Sequence, residues 1–189
     1  MSKDRPSAEP TEADRAEFLA IFDANYELVL AYAQRRLSDR TDAEEVAAAT
    51  FEVAWRRRRD LPDKQTAWLY GVAAHVIDNR RRGARRRRRL VGKLGSQPAI
   101  GGRDPVDLVG ERDAVARAFR QLSDSEREVL RLVCWEGLDA QEAAVALGCS
   151  NGAFRVRLHR ARTKLAKHLD PAGHEGENAT PIPIPRETK

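Results

Sequence analysis

Apolar residues recur at helical intervals along most of this chain, and nowhere do they alternate as a strand requires. Between residues 11 and 37 they fall at Phe18, Phe22, Tyr26, Val29, Leu30, Ala33 and Leu37, steps of three and four that line one face of a helix. The next segment opens with "TDAE", in which Thr41 can cap a helix and Glu44, three residues on, can answer it in a capping box. Val46, Phe51, Ala54 and Trp55 follow at matching intervals. Pro62 in "DLPDKQ" ends this second helix, since proline lacks the donor and clashes with the preceding turn. A third helix is expected to start at residues 63–66 and run through "WLYGVAAHVIDN". It leads into a run where eight of residues 80–89 are arginine. Gly83 is expected to weaken it there, with the last arginines leading out of it.

Residues 90–107, "LVGKLGSQPAIGGRDPVD", break the pattern. They are rich in glycine and proline and have no period, which reads as a flexible linker. Beyond them short helices resume. One is expected over residues 108–121. "SDSE" supplies a capping box at Ser123 and Glu126, and "DAQE" another at Asp139 and Glu142. "ALGCSN" is a turn, and "GAFRVRLHRARTKLAKHL" is a last helix. Residues 1–10 and 170–189 are polar and proline-bearing, and are expected to be disordered or flexible. The fold class is therefore all-α: two small helical domains, residues 11–89 and 108–169, joined by the linker.

Composition narrows the partner. Of 189 residues, 33% are charged and only 6% aromatic, which suits small helical bundles better than a thick β core. The formal net charge of +5 understates the local picture. Arginine concentrates at residues 56–59, 80–89 and 155–162, basic stripes of the kind that meet a polyphosphate. Cys134 and Cys149 lack metal spacing and read as small core or turn residues, so no metal, disulfide or cofactor is expected. There is no apolar signal core or membrane-length run. A soluble, cytoplasmic, nucleoid-associated protein is expected, without a small-molecule substrate.

The C-terminal segment "LDAQEAAVALGCSNGAFRVRLHRAR" has the layout of a helix-turn-helix. Ala143 and Ala144 are small where two helices cross. Leu147 closes the first helix, and Gly148 supplies a positive φ in the turn. Phe154 and Leu158 would anchor the second helix. Arg155, Arg157, His159, Arg160 and Arg162 would face outward, with Ser150, Asn151 and Val156 as further candidates near its start. Such a helix fits the DNA major groove, where arginine bonds guanine bidentately and other cations meet phosphates. An ordinary helical hairpin with a solvated basic face is the plain alternative.

Together, "DAEEVAAATFEVAWRR", "WLYGVAAHVIDNRRR", a linker and "LSDSEREVLRLVCWEGLDAQEAAVALGCSNGAFRVRLHRARTKL" resemble the extracytoplasmic-function sigma factors of bacterial RNA polymerase, over residues 14–169. The resemblance implies a protein that is not an enzyme but lends promoter specificity to one. Its first domain, similar to sigma region 2, would bind the polymerase clamp and open and read the minus-10 element. Its second, similar to region 4, would read the minus-35 element, with the polymerase flap as a further contact. The implied polymerase-binding residues are Asp42, Glu44, Glu45, Phe51 and Trp55, although Phe51 and Trp55 also suit a core. Many relatives carry a Gln-Glu pair where this chain has Ala48 and Ala49, which thins that contact set.

The implied minus-10 set is Lys64, Trp68, His75, Asn79, Arg80, Arg81 and Arg82. Promoter opening needs a place for unstacked bases and a basic surface for the freed strand. His75 and Asn79 are four residues apart, on one helix face, and the turn at residues 61–67 matches the family's base pocket. Trp68 and Tyr70 suit a core as well as a stacking platform. Asp78 beside Asn79 should point away from DNA or pair with an arginine. The resemblance also permits an anti-sigma partner wedged between the domains. Two other classes remain: a DNA-binding regulator with an N-terminal sensing or dimerisation bundle, and a basic RNA-binding protein whose arginine run folds on RNA. The regulator reading does not account for an acidic helix followed by an aromatic and basic one before a long linker.

Overall fold

A computed structural model of the chain describes residues 9–91 and 114–170. Among the described residues there are seven α-helices, one 3-10 turn and no strand. In the first unit these are α1 (Glu12–Gln34), α2 (Arg40–Arg56), a 3-10 turn (Arg58–Asp60) and α3 (Gln65–Val91). The second holds α4 (Ala114–Arg120), α5 (Asp124–Cys134), α6 (Ala140–Ala146) and α7 (Asn151–Leu169). The expected linker falls almost wholly outside the described residues, as do the extreme termini.

Local chemistry starts most of these helices. Thr11 accepts from the Asp14 amide at 3.1 Å while Asp14 accepts from the Thr11 amide at 2.9 Å, a reciprocal cap. The boxes at Ser123/Glu126 and Asp139/Glu142 form as expected. Glu126 also takes Lys164 at 3.0 Å; its bond from the Ser123 amide and that lysine lower its carboxyl to about 2. The start of α2 departs from expectation. Asp39, not Thr41, is its cap, accepting from the Thr41 and Asp42 amides at 2.7 and 3.2 Å. Asp39 reaches those first-turn donors from two residues further back, and Glu44 is left to pair with Arg40 at 2.9 Å. Helix α3 continues past Gly83 and the arginines after it to Val91, because one glycine costs only about 1 kcal/mol among strong helix formers.

The first unit's core is an aromatic cluster. Phe51 lies 4.8 Å from Phe22 and Trp55 lies 5.0 Å from Phe18, both edge to face, the arrangement ring quadrupoles favour. Phe51 is 3% exposed. Beneath them Thr66 donates to Asn25 at 2.6 Å, and Asn25 donates to the Ile21 carbonyl at 2.8 Å, so the buried amide is satisfied. The arginines after α2 are not all solvated. Arg58 lies over the Trp55 ring at 4.6 Å, and Arg59 pairs with Asp14 at 2.9 Å.

In the second unit α7 packs on α4, α5 and α6 through Phe154, Leu158 and Ala161, all buried. Ala143 and Ala144 are buried where the helices cross, and Gly148 has φ of +60° in the turn, as the sequence requires. Cys149 is half-buried in that turn. Cys134, expected in a core or turn, is instead an exposed thiol at the end of α5, and both are free. The two units are in direct contact: α6 lies against α3.

Candidate nucleic-acid interface

The α7 helix sorts its residues cleanly. Phe154 and Leu158 turn inward, while Asn151, Arg155, Val156, Arg157, His159 and Arg160 are exposed. The spacing decides this: positions 154, 158 and 161 share one face, and their neighbours are rotated away. Two expected members differ. Ser150 is the cap of α7, its hydroxyl accepting from the Ala153 amide at 3.2 Å, so one lone pair is committed to the helix start. Arg162 is half-buried, because position 162 follows the inward Ala161 and lies at the edge of the packed face.

On α3, His75 and Asn79 are both exposed on one face. Arg82 donates to the Asn79 side-chain oxygen at 2.8 Å, which orients the amide. Trp68 is half-buried and packed against the core, and Tyr70 is buried. A purely stacking role for Trp68 is thereby limited to its exposed edge. Asp78 is also exposed.

The structure joins two residue sets that the sequence kept apart. Arg80, expected to hold phosphates, donates to Glu45 at 2.7 Å and to Asp42. Those acids were assigned to polymerase. They lie beside Arg80 because α2 and α3 pack side by side. Phe51 corrects its assignment outright. It is interior and presents no surface to a protein partner, so it supports α2 from beneath. Trp55 is half-buried between Phe18 and Arg58. Glu44 is half-buried and Glu45 exposed, leaving Asp42, Glu44 and Glu45 as the acidic edge of α2.

Between the two units lies a cleft of about 1090 Å³. Asp78, Arg81 and Arg85 of α3 form one wall, and Arg157 and Arg160 of α7 reach the other. Its floor is an ionic network that the sequence reading did not find. Arg36 donates to Glu128 at 2.9 and 3.0 Å and to Glu136 at 2.9 Å. Tyr32 donates to Glu128 at 2.9 Å, and Arg35 adds a second pair to Glu136. Burial raises the Glu128 carboxyl, but the charge and bonds of Arg36 outweigh it and hold the group below its ordinary value. Burial also pushes the Tyr32 phenol up. A signal for this was present: Arg36, just past the end of α1, continues the spacing of the buried Val29 and Ala33, where a charge needs a partner.

Lys64 of the turn before α3 pairs with Glu142 of α6 at 3.0 Å. Lys64 was assigned to the minus-10 surface; here it also bridges the units.

Comparison with known proteins places both units. Residues 21–87 match the sigma-70 region 2 family and residues 112–165 the sigma-70 region 4 family. The ECF RNA polymerase sigma factor SigD of Mycobacterium tuberculosis is 32% identical over 177 residues, covering 88% of this chain and 83% of its own. SigL of the same organism is 31% identical over 166 residues, covering 85% and 93%. The RNA polymerase sigma factor CnrH of Cupriavidus metallidurans is 33% identical over 160 residues, covering 78% and 84%. Among solved structures, CnrH in complex with the cytosolic domain of CnrY superposes with a TM-score of 0.52 at 25% identity, covering 86% of this chain and all of that one. RpoE in complex with the anti-sigma factor NepR from Bartonella quintana shares the fold, with a TM-score of 0.53 at 22% identity, covering 87% and 100%.

Proposed function

The chain belongs to the extracytoplasmic-function sigma factors of bacterial RNA polymerase, and from that premise we propose how its residues divide the work. The protein directs promoter-specific transcription initiation. Residues 11–89 act as the domain that engages core polymerase and the minus-10 element, and residues 108–169 as the minus-35 reader. No catalytic group is assigned, since the polymerase supplies the chemistry. Among the described residues no helix is long and apolar enough to cross a membrane, and the chain is proposed to act where the polymerase does, in the cytoplasm.

The observation that carries the minus-35 assignment is the inward–outward split of α7. A helix held by Phe154 and Leu158 that exposes Arg155, Val156, Arg157, His159 and Arg160 can enter a major groove without losing its core. For minus-10 reading, His75 and the exposed amide of Asn79 offer bonds to base edges, with Arg82 beside them for phosphate. Asp42, Glu44 and Glu45 offer the polymerase an acidic edge, already neutralised in part by Arg80. The solved relatives CnrH and RpoE are seen with CnrY and with the anti-sigma factor NepR; a protein inhibitor of this kind is proposed for the present chain as well.

Run-off transcription with bacterial core polymerase tests the reading. A start-specific transcript that depends on the chain is expected, and its absence from every template would sink the assignment. In the holoenzyme, Arg157→Ala is expected to weaken minus-35 binding by about 1–3 kcal/mol with relaxed base preference. A uniform loss with only a shallower salt slope would instead make Arg157 a phosphate contact. His75→Ala combined with Asn79→Ala is expected to change minus-10 preference while core binding, read by fluorescence anisotropy, stays intact. Unchanged promoter choice would remove both residues from the reading surface.

A further inference from the structure

We propose that Asn25 of α1 and Thr66 of α3 are positioning residues for minus-10 recognition: their hydrogen bond fixes the turn at residues 61–67 relative to the reading face of α3. This rests on the assignment of that turn and of His75 and Asn79 to the minus-10 surface.

Asn25 conflicts with its surroundings. Ile21 and Val29 stand four residues before and after it on α1, and both are buried. All three share one face of the helix, and Asn25 is only 4% exposed. A leucine would suit the position. An amide there is costly unless its groups are bonded, so the chain carries a polar side chain where packing does not ask for one. Conflicts of this kind concentrate at functional or strained positions.

The amide is bonded at both ends. Its NH2 group donates to the Ile21 carbonyl at 2.8 Å, and its oxygen accepts from the Thr66 hydroxyl at 2.6 Å. The first bond stays within α1 and holds the side-chain orientation. The second crosses to the first turn of α3, 41 residues on. Stability does not explain it. A hydrogen bond contributes little net, and exchanging both partners for apolar groups of the same shape is close to neutral. What the pair supplies is direction. Apolar contacts tolerate sliding, whereas a donor and an acceptor are held to a narrow range of distance and angle.

That placement matters because of what flanks it. Leu61 packs on the core and Ala67 is buried, while Asp63 and Lys64 between them are exposed. The turn is thus anchored at its ends and open at its tip, and Thr66 is an anchor next to the tip. From Thr66 the helix runs unbroken through His75 and Asn79, about 13 and 20 Å further along its axis. Fixing the Thr66 hydroxyl on α1 therefore sets the turn and the reading face in one frame. Neither Asn25 nor Thr66 needs to touch DNA for this.

Transcription by the holoenzyme from a library of random-sequence duplexes tests the pair, with the transcribed templates sequenced to give the base preference at each promoter element. Asn25→Leu combined with Thr66→Val removes the bond and nearly preserves volume. This double variant should unfold at the wild-type midpoint by circular dichroism and bind core polymerase as wild type does. Its minus-10 preference should nevertheless flatten about tenfold. Thr66→Val alone should lose the preference too, while Thr66→Ser, which keeps the hydroxyl, should retain it. The minus-35 preference, read from the same transcripts, should hold in every variant. A double variant with wild-type preference, a Thr66→Ser as impaired as Thr66→Val, or a preference lost only in step with a lowered midpoint would overturn the proposal. A wild type that gives no sequence-dependent transcript would sink the sigma-factor reading as well, whereas a wild-type preference kept by the variants removes only the positioning role.

Discussion

Truncating Phe51 to alanine is expected to destabilise the first domain by about 3–5 kcal/mol, the usual cost of removing a buried aromatic ring. The ring is 3% exposed and touches Phe18, Phe22 and Tyr26, so its loss opens a cavity at the junction of α1 and α2. Thermal unfolding monitored by circular dichroism should record a midpoint lowered by on the order of 15 °C. Glu45→Ala makes the contrast. Its carboxylate is exposed and paired with Arg80, and such pairs contribute less than about 1 kcal/mol. That variant should fold as wild type and lose polymerase affinity instead. If Phe51→Ala kept its stability but lost polymerase binding, the ring would have to be a contact, and the interior assignment would fall.

Phe154→Ala is expected to cost the second domain about 3–5 kcal/mol for the same reason, because the side chain is fully buried under α7. Val156, two residues on, is 50% exposed. Val156→Ala should change stability by no more than about 0.5 kcal/mol and should instead weaken minus-35 binding of the holoenzyme. The pair separates what holds the helix from what the helix presents. Chemical denaturation and promoter binding, measured on both variants, check it. A destabilised Val156→Ala with a stable Phe154→Ala would reverse the register of α7.

That register was legible beforehand. Phe154, Leu158 and the outward arginines follow from 3.6-residue periodicity, a property of consecutive residues. The capping boxes at Ser123 and Asp139 and the left-handed turn at Gly148 are likewise short-range, each closed within four residues. The start of α2 was misread because Thr41 and Asp39 both offer a capping oxygen, and sequence alone does not say which backbone bends to meet it.

Phe51 shows the first limit. An aromatic residue on a helix suits both an interior and a protein contact, and only the approach of Phe18 and Phe22 from α1 decides between them. Arg80 shows the second. Its charge announced a phosphate contact, but the packing of α2 on α3 delivered Asp42 and Glu45 to it first.

The sequence by itself determined the helices, the caps at Ser123 and Asp139, the inward face of α7 and the candidate reading residues, since all of these depend on neighbours within a turn or two. Only the tertiary structure decided that Arg36, just past the end of α1, meets Glu128 and Glu136 about a hundred residues away, and that Gly71 makes room for Ala146. A buried charge and a helical glycine each ask for a partner, but the partner's identity lies in how the two domains come together, which no local pattern encodes.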